Sequence, residues 1–171
     1  MTACRIGWEE GAAAWGDAAR FFARVISLDP AYISHGEMQT GLSLDGRTWI
    51  ADLEARFLAE ATAEEAGSPG RSLAVARDGT SGGIAAAAAV SWDFDTPDAP
   101  FAVLQDAAVE PALRSKGIGA DLVAFVEREA RARGARWLFL ESGKDNVRAH
   151  SFFERVGFHE VSHVFAKRLA G

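Results

Sequence analysis

The chain reads as an α+β or mixed α/β domain built around one sheet. Three observations carry this reading. Apolar positions repeat at helical spacing through residues 12–65. Residues 72–109 switch to short runs separated by turn chemistry. Residues 118–169 then alternate helix, strand, helix and extended segment. With 171 residues the chain has the size of one domain, and a hydrophobic fraction of 49% can supply a full core. No linker divides it, so 1–171 is read as a single domain.

In chain order, Trp15, Ala18, Ala19, Phe22, Val25 and Ile26 share one face of a helix over 12–28, which Pro30 closes. Residues 31–47 carry Ser34, Gly36, Gly41 and Gly46 with little periodicity and read mostly as loop. A second helix is expected over 48–65, where Trp49, Leu53, Phe57 and Ala61 fall four apart; Gly67, Pro69 and Gly70 end it. A strand over 72–77 runs into Asp78-Gly79 and Gly82-Gly83, strong hairpin chemistry, and returns over 84–92. Ala85 to Ala89 prefer helix as isolated residues. The hairpin and the alternation of Val90, Trp92 and Phe94 decide for strand. Pro97 and Pro100 mark a loop before a strand over 101–109. Residues 118–133 form an amphipathic helix with Leu122, Val123, Phe125, Val126 and Ala130 inward and Gly134 at its C-cap. A buried-type strand follows over 136–142, then a helix over 146–156 ended by Gly157, and 158–169 is extended.

Composition narrows the function. A net charge of −6 argues against non-specific binding to nucleic acid. The one cysteine, Cys4, allows no intrachain disulfide, which fits a reducing compartment. No apolar run approaches the roughly 20 residues of a membrane span. Trp8, Glu9 and Glu10 stand where a signal peptide would carry basic and then apolar residues. The expectation is a cytoplasmic protein with no nucleic-acid or membrane partner. His159 and His163, four apart, would suit a metal on a helix, but on an extended segment they lie about 13 Å apart; no metal is expected.

The most informative segment is 109–120, V-E-P-A-L-R-S-K-G-I-G-A. A strand ends, Arg114 and Lys116 follow, then Gly117 and Gly119, and a helix begins. Glycine lets the backbone approach a ligand closely. The first helical N–H groups lack intrahelical partners, and the macrodipole adds roughly half a positive charge there. A pyrophosphate suits such a turn; two solvated cations before a Gly-rich helix start would look alike. A dinucleotide fold fits less well. Leu122 replaces the third glycine, Pro111 lengthens the turn, and about a hundred residues precede the unit.

The segment resembles the motif of the GNAT superfamily of acyl-CoA-dependent N-acetyltransferases, [Q/R]-x-x-G-x-[G/A], through Arg114, Gly117 and Gly119, with Val109 and Pro111 ahead of it. A second block is similar too: Leu138, Leu140, Glu141, Asn146, Ala149, Phe152, Phe153, Glu154, Gly157 and Phe158. The resemblance covers about 72–169. It implies a GNAT-like mostly antiparallel twisted sheet, flanked by helices and splayed at the cofactor site, with acetyl-CoA as co-substrate. It implies that N–H groups of Arg114, Ser115, Lys116, Gly117, Ile118, Gly119 and Ala120 hold the pyrophosphate. The strand through Ala107, Ala108 and Val109 would pair with the pantetheine arm, and Asn146 would hydrogen-bond it. An N–H near Val109 would face the thioester oxygen, and Phe153 would pack on the arm.

Three features depart from the family. Phe153 stands where a tyrosine commonly protonates the departing thiolate, and the one tyrosine, Tyr32, is far along the chain. Gln105-Asp106 replaces a frequent Glu-Asp. The tail has room for little more than one strand where the family has two.

The implied chemistry needs a base. A lysine-like amine has a pKa of about 10.4, so well under about one in a thousand is neutral at pH 7. Glu141 matches a strand-end Glu that serves as base in some members and is the first candidate; Asp106 is the second. A thiol pKa near 8.5 makes the thiolate a modest base that water can protonate. His35 and Glu37 lie where an acceptor could dock. The expected function is acetyl transfer to an amine of a small molecule or protein by a monomer or homodimer; the alternative is a non-catalytic acyl-CoA-binding sensor.

Overall fold

The computed structural model describes residues 4–65, 70–95 and 98–169. Gly67 and Pro69, expected to end the second helix, and Pro97 lie outside them. The elements are β1 (Cys4–Glu9), α1 (Ala12–Ile26), a 3-10 turn (Pro30–Tyr32), α2 (His35–Gln39), α3 (Leu53–Glu65), β2 (Arg71–Asp78), β3 (Ile84–Asp93), β4 (Phe101–Val109), a second 3-10 turn (Pro111–Leu113), α4 (Ile118–Ala132), β5 (Trp137–Leu140) and α5 (Val147–Arg155). The sheet runs β1-β2-β3-β4-β5, antiparallel except for the parallel pair β4–β5. The chain packs as two compact units: residues 1–28 with 52–141, and residues 29–51 with 142–171.

The first unit holds the whole sheet with α1, α3 and α4. Leu73–Ala76 of β2 and Ala85–Val90 of β3 are no more than 1% exposed. Successive strand residues point to opposite faces, so both faces of these strands are covered. Helices α1 and α4 both pack on β3. Burial of Leu73, Val75 and Val90 contributes roughly 1.5–3 kcal/mol each. The alanine run is a strand because it lies at the centre of the sheet, where pairing on both sides outweighs a helical preference of tenths of a kcal/mol per residue.

In this unit the structure departs from the sequence reading at two places. Residues 4–9, to which no element was assigned, form strand β1, paired along its length with β2. Trp8 sets its ring against Trp92 at 5.9 Å and Phe125 at 5.1 Å. The buried-type reading of 136–142 is also corrected. β5 spans only Trp137–Leu140 and is an edge strand, with Trp137 53% and Phe139 37% exposed.

In the second unit, the segment expected to be loop contains α2. Ser34 Oγ accepts the Gly36 N–H at 3.2 Å, and the Glu37 carboxylate accepts the Ser34 N–H at 2.6 Å. This is a capping box, and its S-x-x-E spacing was legible behind the glycines. Gly143 abuts the 3-10 turn; a Cβ there would collide with the carbonyl oxygens of Ala31 and Ile33. Residues 158–169, expected to be extended, form no ladder or helix among the described residues.

Candidate active site

Strands β4 and β5 run side by side only from Phe101↔Trp137 to Leu104↔Leu140. Opposite β3, the register slips by one residue after Leu104: Val90 pairs with Leu104 but Ala89 with Asp106. Gln105 is the extra residue of a bulge, which bends and twists its strand. Beyond it, Asp106–Val109 stay paired with β3, and no strand pairs on their other side among the described residues. Glu110 N–H donates to the Ala85 carbonyl at 2.8 Å. Strand residues alternate in direction, so the N–H of Val109, one residue earlier, points away from β3 towards the side without a strand. Ala107 shares that direction and Ala108 faces β3. Glu141 follows Leu140 directly and stands at the fork where the strands part.

The chain then makes the Pro111–Leu113 turn and enters α4. Arg114 N–H donates to the Pro111 carbonyl at 3.4 Å, and Arg114 Nε to the Val109 carbonyl at 3.2 Å. The Arg114 N–H is thus engaged in the turn. Ser115 lies at φ 62° and Gly117 at φ 88°, both left-handed. For Ser115 this is an uncommon and strained conformation. Gly117 starts α4 with no side-chain cap, and a Cβ on it would meet nothing within 4 Å. Asp121 N–H is the first to close a helical bond, onto the Gly117 carbonyl at 3.0 Å. The N–H groups of Ser115, Lys116, Gly117, Ile118, Gly119 and Ala120 meet no acceptor among the described residues. Six donors at a helix start, beside Lys116, suit a polyanion. The Lys116 charge also reaches the hairpin, where Asp78 is held below the usual carboxylate range, first by the Ser81 N–H.

Glu110 is fixed by Arg24 of α1, whose guanidinium lies 2.6 Å from its carboxylate. That contact anchors the chain just past Val109. Arg24 was not singled out in the sequence, because the two are 86 residues apart. Asp106 sits beside the half-buried Arg71, whose guanidinium is pulled below its usual range by burial while Asp106 and Glu60 oppose the shift.

In the second unit, Asn146 is the N-cap of α5: its Oδ1 accepts the Ala149 N–H at 3.3 Å, and the residue is buried. Its amide nitrogen remains the group suited to an acyl chain's carbonyl. Phe153 is part of the helix end. Phe158 N–H donates to the Phe153 carbonyl at 3.0 Å, Gly157 N–H to that of Glu154 at 3.1 Å, and Gly157 has φ 100°. This is a Schellman motif, and its usual hydrophobic contact is the Phe153–Phe158 ring pair at 5.6 Å. Tyr32, distant in sequence, lies in the turn whose flanking carbonyls crowd Gly143.

The sequence profile described as the acetyltransferase (GNAT) family matches residues 39–158. The chain belongs to that family. Among curated GNAT relatives, it is 35% identical over 66 residues to the aminoalkylphosphonate N-acetyltransferase of Salmonella typhimurium. That match covers 39% of this chain and 43% of the enzyme, so it spans less than half the relative's length. Two solved GNAT structures share the fold. Glucosamine-6-phosphate N-acetyltransferase from Arabidopsis thaliana superposes with a TM-score of 0.63 at 18% identity, covering 98% of this chain and 99% of that one. AAC(6')-Iy in complex with a bisubstrate analogue gives 0.66 at 16% identity, covering 99% and 100%.

Glu37 is held by its capping box. His163 Nδ1 lies 3.0 Å from Glu160 on the tail. Burial pushes the Cys4 thiol up, away from a reactive thiolate. No group of three or more metal-ligating side chains occurs among the described residues, and none of their helices is long and apolar enough to cross a membrane.

Proposed function

We propose that the chain transfers the acetyl group of acetyl-CoA to the primary amine of a small molecule. The observation that carries this is the one-sided end of β4 leading into the uncapped start of α4. An extended pantetheine arm, with its amide groups, matches the open side of Ala107–Val109, and the pyrophosphate matches the N–H groups of 115–120. In the reaction the amine nitrogen attacks the thioester carbon. Glu141 takes the amine proton, and the Val109 N–H donates to the developing oxyanion. The C–S bond then breaks, and the thiolate takes a proton from water. Phe153 supplies no proton.

A small-molecule acceptor is favoured because the relatives' names each carry one: an aminoalkylphosphonate, glucosamine 6-phosphate and an aminoglycoside. Thiol release from acetyl-CoA with a panel of such amines tests the activity. Acetyl-CoA binding without turnover for any amine would leave a binding module instead. Once an acceptor is found, Glu141→Gln should lower turnover with acetyl-CoA affinity intact. The loss should shrink as pH rises and more amine is neutral. An equal loss at every pH would assign Glu141 a structural role.

A further inference from the structure

A hydrogen-bond donor that stabilises a developing negative charge must already point the right way, because turning it during the reaction would cost what it gains. In the acetyl-transfer reading, on which this inference rests, the Val109 N–H is that donor. Its place in the strand does not by itself fix it. Val109 is the last residue of β4 and pairs with Ala86 of β3, with no strand on its other side among the described residues. Strand ends paired on one side are where a backbone opens most readily.

The main chain around Val109 is restrained from three directions. Glu110 N–H donates to the Ala85 carbonyl at 2.8 Å, and Leu113 N–H to the Glu110 carbonyl at 2.8 Å. Arg114 Nε donates to the Val109 carbonyl at 3.2 Å. The last two bonds lie within the turn itself and move with it. A fourth restraint comes from α1. Arg24 Nη2 donates to Glu110 Oε2 at 2.6 Å, and Nη1 to Oε1 at 3.5 Å. Two prongs fix direction as well as distance.

Arg24 is itself braced. Its guanidinium carbon lies 5.6 Å from the centre of the Phe21 ring, and Phe21 is buried. Helix α1 packs on both β3 and β4. The Arg24 side chain is 54% exposed, and ion pairs so placed contribute little to folding. What the pair does supply is a tether from a packed helix to the residue next to the oxyanion donor. We propose that Arg24 is a positioning residue for acetyl transfer: through the Glu110 carboxylate it holds the Val109 N–H on the thioester oxygen.

Infrared difference spectroscopy on acetyl-CoA, isotope-labelled at the thioester carbonyl, tests this without an acceptor. On binding the wild-type chain, the carbonyl stretch should move to lower frequency, because a donated hydrogen bond weakens the C=O bond. Arg24→Leu keeps the apolar stem over Phe21 and should leave the fold and the acetyl-CoA affinity unchanged. It should reduce the carbonyl shift and, with an amine acceptor, lower kcat about fivefold, the upper reach of a half-exposed pair. Glu110→Gln should reproduce both losses, and the double variant should be no worse than either single one. Arg24→Lys, which keeps the charge without the fork, should recover part of the shift. A wild-type complex with no shift has no donor at that oxygen, so the oxyanion reading and this proposal fall together. A wild-type shift that Arg24→Leu leaves in full overturns the proposal alone. So does a loss that Glu110→Gln fails to reproduce and Arg24→Lys fails to relieve, because the arginine then acts other than through the carboxylate.

Discussion

Helix α4 begins at Gly117 with no side chain on its first N–H groups, whereas α5 begins at Asn146, whose own Oδ1 takes the Ala149 N–H. Both starts lie inside the motifs by which the sequence resembles its family, yet they use opposite means. The α4 start is shaped by backbone alone: two left-handed residues, Ser115 and Gly117, and a glycine with open space where a Cβ would be. Its donors stay available to a ligand. The α5 start is closed from within, so Asn146 first stabilises its own helix and offers only what remains of its amide outward. Substitution should therefore affect binding at one start and folding at the other.

The largest effect should come from Gly117→Val. A β-branched residue at φ 88° is strained, and its side chain fills the space above the helix start. Acetyl-CoA affinity should fall by about tenfold or more, roughly 1.4 kcal/mol. Calorimetry on the folded variant reads this, and unchanged affinity would remove the phosphate site from this turn. Asn146→Ala should instead lower the melting point, costing about 1 kcal/mol for the lost cap. Asn146→Asp sharpens the contrast, since it keeps the cap but removes the amide donor. Restored stability with weakened acetyl-CoA binding would assign Asn146 both roles; full recovery of both would leave it a cap alone.

Phe153→Tyr should have the smallest effect. The aromatic contact with Phe158 that seals the Schellman motif survives the change, so the melting point should hold and turnover should hold or rise. A large fall in both would mean the added hydroxyl is buried without a partner, at about 1–3 kcal/mol.

Much of this was legible in the residues themselves. The hairpin at Asp78–Gly83, the helix over 118–133 and the turn at 109–120 were read from adjacent residues, because caps, left-handed glycines and helical stripes are decided by a few neighbours in sequence. The capping box at Ser34–Glu37 was equally local and was hidden only by surrounding glycines. Strand β1 was missed because its alternation lasts six residues, too short to outweigh its place at the end of the chain.

What only the tertiary structure decided is which segments face which. The apolar run W-L-F-L is the same whether neighbours lie on both sides or on one; pairing makes it an edge. The parting of β4 from β5 after Leu104 depends on a register slip against β3 that no pattern in β4 announces. Arg24 reaches Glu110 across 86 residues, and the Tyr32 turn packs on Gly143 across more than a hundred. Periodicity encodes how a segment divides its own faces. It does not encode the partner that covers them, because burial is a property of pairs, and their members are brought together only when the whole chain packs.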